Sequence, residues 1–63
     1  MENLIETAIF SANSAHDRAV AHSAFADMFD AAGMAHLASA RRAQAASEWH
    51  MERVWRGMAD ALS

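Results

Sequence analysis

The chain contains no proline and only two glycines, Gly33 and Gly57, so very little in it interrupts a helix. Alanine, leucine, glutamate, arginine, methionine and glutamine favour helix. No Val/Ile/Thr run alternates with the period of two that a half-buried strand requires. These features predict an all-α protein. Asp30-Ala31-Ala32-Gly33 reads as a helix end, because glycine takes up the left-handed conformation that closes a C-terminus. Gly57 lies inside a strongly periodic segment, where it is expected to cost about 1 kcal/mol without ending the helix.

At 63 residues the chain makes a single small domain, residues 1–63. A domain of that size buries only about 60% of the surface its unfolded form exposes, so it normally needs a disulfide, a metal or a partner as well. Cysteine is absent, which excludes disulfides and thiolate zinc sites. Good packing, self-assembly, or histidine and carboxylate ligands remain.

At about 100° per residue, residues 37–62 place Leu37, Ala40, Gln44, Ser47, Met51, Val54, Trp55, Met58 and Leu62 along one stripe. A stripe of this kind is expected to face a core or another helix. The first half changes face. Leu4, Ile5, Ala8, Ile9, Ala12 and Ala19 lie together, whereas Phe25, Met28, Phe29 and Ala32 fall on the other side. Either the chain breaks between them or one long helix serves two contacts. Ser11, Asn13 and Ser14 offer a break point, and Ser14 with Asp17 three residues later resembles a capping box. The expected layout is a short helix, about 3–10, followed by two longer antiparallel helices, about 15–31 and 35–62. This hairpin-like unit would assemble into a helical bundle. A two-helix hairpin turning at Gly33 is the alternative.

The formal charge of −3 argues against general affinity for nucleic acid. The acidic residues are concentrated up to Gly33, with Glu2, Glu6, Asp17, Asp27 and Asp30 set against Arg18 alone. Antiparallel packing of the two halves is therefore electrostatically favoured, at about 0 to 1 kcal/mol per exposed pair. Residues 1–7 carry Glu2 and Glu6 rather than a basic start, and no apolar run reaches the roughly 20 residues that span a bilayer. A cytoplasmic protein with no membrane contact is expected. Abundant alanine, with arginine and no lysine, suggests a GC-rich bacterial or phage source.

Little in the sequence carries chemistry. His16, His22, His36 and His50 never stand three or four residues from one another or from a carboxylate as preformed helical ligand pairs do. No metal or other cofactor is expected, and a site built across helices is the alternative. No serine lies in a Gly-x-Ser-x-Gly turn and no glycine-rich loop exists, so the chain is not expected to be an enzyme. Trp49 falls opposite the Met51, Trp55 and Met58 stripe, beside Arg42, Arg53 and Arg56, and Arg53 is close enough in sequence to lie over its ring.

Taken together, these residues predict a small helical interaction protein, an adaptor, inhibitor or accessory subunit. It would bind a partner through Trp49, Arg42, Arg53 and Arg56. Leu37, Met51, Val54, Trp55, Met58, Leu62, Phe25 and Phe29 would form its core or its contact with other copies. The partner is expected to be another protein, further copies of the chain, or both. An oligomer binding nucleic acid through Arg41, Arg42, Arg53 and Arg56, or holding a metal with histidines, is the alternative.

Overall fold

The first helix begins at Asn3, whose side-chain oxygen accepts from the backbone N–H groups of Ile5 at 2.9 Å and Glu6 at 3.2 Å. Those donors would otherwise lack partners at a helix start. In the computed structural model, which describes residues 3–63, the helix α1 then runs unbroken over Leu4–Ala31, 28 residues. It ends where the sequence places its end. Gly33 sits at φ +75°, its N–H donates to the carbonyl of Asp30 at 3.0 Å, and the N–H of Met34 reaches back to Phe29 at 2.8 Å. This pair of reversed bonds is the Schellman closure, and it needs a residue free to adopt positive φ. The second helix, α2, spans Ala35–Leu62, also 28 residues, and passes through Gly57 without interruption. No strand occurs among the described residues.

The two helices fold back on each other as an antiparallel hairpin 48 Å long. Their contact follows a seven-residue repeat. On α1 the buried or half-buried positions include Ile5, Ala8, Ala12, Ala15, Ala19, His22, Ala26 and Phe29; on α2 they include Ala38, Arg41, Ala45, Glu48, Glu52, Trp55 and Ala59. Steps of three and four alternate along both, so each helix keeps one seam turned toward the other. Among the described residues, all eight buried hydrophobic residues are alanines: Ala8, Ala12, Ala15, Ala19, Ala26, Ala38, Ala45 and Ala59. Small side chains let helix axes approach at the short end of the usual 8–10 Å range. They also bury little apolar area, and among the described residues no large side chain is fully enclosed.

Two expectations from the sequence need correction. The short helix 3–10 and the break at Ser11 to Ser14 are absent, since both serines lie inside α1. The alanine seam at 8, 12, 15 and 19 continues past them without changing face, so nothing gains from a break. The change of apolar side between Ile9 and Phe25 instead reflects one helix with two separate surfaces. Second, the stripe of α2 does not form the hairpin's core. Met51, Val54, Met58, Leu62 and Leu37 are 38–49% exposed, because the seam lies beside them and is made of smaller residues. Of the residues expected in the core, only Trp55 and, on α1, Phe29 sit half-buried at the seam; Phe25 is exposed at its margin.

Candidate functional site

The side chains that flank the seam identify two edges of the hairpin. Along one edge, Arg42 pairs with Asp30 and reaches Asp27 at 3.3 Å. Further along, His16 Nδ1 lies 3.2 Å from Glu52, and the His16 ring meets Trp49 edge-on at 5.0 Å and 78°. Arg56 Nε donates to Glu52 at 2.8 Å, and its Nη2 donates to Asn13 at 3.2 Å. These contacts have electrostatic consequences. The hydrogen bond from Arg56, helped by that from His16, holds the Glu52 carboxyl below its ordinary value near 4.5 against the opposing effect of burial. The hydrogen bond to Asp30 raises the Arg42 guanidinium further, again against desolvation.

Three of the four residues expected to bind a partner, Trp49, Arg42 and Arg56, are thus engaged within the hairpin. Trp49 is half-buried rather than projecting outward, because α1 lies along the edge that carries it. Its aromatic neighbour is His16, not Arg53. Arg53 is exposed and makes no ion pair among the described residues. Arg41, the remaining member of the arginine group, lies over the Phe25 ring at 4.8 Å and bonds to His22 at 3.1 Å. Its charge is therefore also directed inward.

The histidines are dispersed: His16 on Glu52 and Trp49, His22 on Arg41, and His36 and His50 exposed on α2. No group of three or more His, Cys, Asp or Glu side chains converges with metal-binding geometry among the described residues. No helix among them is long and apolar enough to cross a membrane.

The other edge is different in kind. Arg18 Nε donates to Glu48 at 3.0 Å, and this is its one ion pair among the described residues. By the same repeat, Leu4, Ser11, Arg18 and Phe25, with Thr7, Ser14, Ala21 and Met28, line α1 on this side. Leu37, Gln44, Met51 and Met58, with Ala40, Ser47, Val54 and Ala61, line α2. The result is one continuous face. It carries large apolar side chains in two groups, Phe25, Met28 and Leu37 near the turn and Leu4, Met51, Val54 and Met58 toward the open end, while Ile9, Phe10 and Val20 are exposed elsewhere on α1. Small polar residues and the Arg18–Glu48 pair lie between. The sequence singles out most of these residues; the signal that would have assigned them to an outer face is the alanine spacing at 12, 19 and 26 and at 38, 45 and 59, which claims the inner one. No protein-family model matches this chain, and no curated protein or solved structure matches it.

Proposed function

We propose that this protein is a small helical interaction module, of the adaptor, inhibitor or accessory-subunit kind, that works by docking the apolar face beside its alanine seam onto other helices. The observation that carries the reading is an inversion of the usual arrangement. The hairpin encloses alanines and leaves Phe25, Met28, Leu37, Met51, Val54 and Met58 at 38–64% exposure on one side. Contiguous apolar patches on small proteins mark contact surfaces, and methionine-rich ones adapt to the shape of what they bind. The nucleic-acid alternative is weaker, because Arg41, Arg42 and Arg56 are already engaged by Phe25, Asp27, Asp30, Glu52 and Asn13. No catalytic role is proposed.

The test is a pair of charged substitutions on the face, Met51→Glu with Met58→Glu, against Arg53→Glu elsewhere on α2 as control. The double variant should keep its helicity and lose association with copies of itself and with any protein captured by the wild type. Association that survives both substitutions unchanged would refute the reading.

A further inference from the structure

We infer that the occupant of this face is a second copy of the chain, related by a two-fold axis running along the hairpin, so that α1 of each copy lies on α2 of the other and both turns sit at the same end. This rests on the interaction reading above and names its partner. Charge comes first. Arg18 and Glu48 each stand near the middle of a 28-residue helix, and they pair with each other on the face. The face is therefore neutral as it stands and asks no charge of what covers it. Laying α1 on the other copy's α2 sets Arg18 against the partner's Glu48 and Glu48 against the partner's Arg18, a square of alternating sign.

Size agrees. The cross-hairpin pairs Arg18–Glu48, Asn13–Arg56 and Asp27–Arg42 fix which residues of the two helices lie at the same height. Toward the open end α1 offers Thr7, Ser11 and Ser14 where α2 carries Met58, Val54 and Met51. Near the turn the roles reverse, with Phe25 on α1 level with Ala40 and Gln44 on α2. Most large side chains thus meet smaller ones across the interface, as packed helices require, while Met28 and Leu37 lie level with each other near the turn and pack large on large. A two-fold axis across the hairpin matches sizes as well, but it sets Arg18 on Arg18 and Glu48 on Glu48. Like charges disfavour that stacking. In the chosen arrangement every neighbouring helix pair is antiparallel, and the helix dipoles oppose one another.

Sedimentation equilibrium of the full chain at micromolar concentration should give a dimer, and Met58→Glu should weaken it at least tenfold with far-UV helicity unchanged. Arg18→Glu alone and Glu48→Arg alone should each weaken it, while a one-to-one mixture of the two should restore a heterodimer. Restoration by mixing is not expected of a substitution that merely damages its own hairpin. Spin labels at Ala31→Cys should lie well under half the 48 Å molecular length apart. A folded monomer would overturn the inference, and if that monomer still bound another protein in a Met58-dependent manner, the interaction reading alone would survive. Labels separated by close to the full length would overturn the arrangement.

Discussion

Replacing Ala19 with leucine should damage this hairpin more than its small volume suggests. Ala19 is fully enclosed at the middle of α1's seam, between Ala15 and Ala26 on the same side. Leucine adds three carbons where the helices approach closely, and neither can move aside without separating along its length. Overpacking a closed site costs about 1–3 kcal/mol. A radial gap of only about 0.5–1 Å forfeits a quarter to a half of each neighbouring contact, and the flanking alanines have no longer side chains with which to refill it. The expected loss is therefore at the upper end, about 3 kcal/mol, or roughly 12–24 °C in Tm for a domain of this size. Thermal unfolding followed at 222 nm, at matched protein concentration, measures it. Ala24→Leu, on the exposed outer side of the same helix, is the control and should stay within about 0.5 kcal/mol. An Ala19→Leu protein as stable as its control would show that the alanines do not form the helix contact.

Three further outcomes follow from the same geometry. Asn3→Ala should cost about 1 kcal/mol through loss of the cap, whereas Ser14→Ala, inside a continuous helix, should leave the melt unchanged or slightly raised, since alanine is the better helix former; calorimetry distinguishes the two. Trp49→Ala should cost about 1.5–2.5 kcal/mol in chemical denaturation, half the usual 3–5 for an enclosed aromatic, because the ring is only half covered by His16 and the seam. Glu52 has a folded-state value below its unfolded one, so its contribution is present above about pH 4.5 and is lost as pH falls through the lower folded value; Glu52→Gln should remove that part of the acid sensitivity in a pH-dependent melt.

Much of the fold was legible in local chemistry. Gly33 announced the turn, the bounds of α2 followed from periodicity, and helix-favouring residues without any period-two alternation pointed to helix. The choice of faces was not legible by the same means. A stripe of Met51, Val54, Trp55 and Met58 reads as core because large apolar side chains gain most from burial. In a two-helix unit, however, the closest approach goes to whichever stripe is smallest and most regular, and here alanines at seven-residue spacing hold it. The same competition explains Trp49. Sequence alone sets it opposite the large stripe and hence outside, but the seam lies between the two, and α1 covers its edge. The supposed break near Ser14 came from following the large residues of α1 and not its alanines.

The large apolar residues Met51, Val54 and Met58 of α2 are exposed on the hairpin, and under the proposal above another molecule covers them. Limited methionine oxidation, read residue by residue by mass spectrometry across a dilution series, tests it directly. Met51 and Met58 should be protected at high concentration and become reactive on dilution while helicity persists, with Met34 in the turn reactive throughout. Protection of Met51 and Met58 at every concentration, in a protein that sediments as a monomer, would place them in the hairpin's own core and contradict the account.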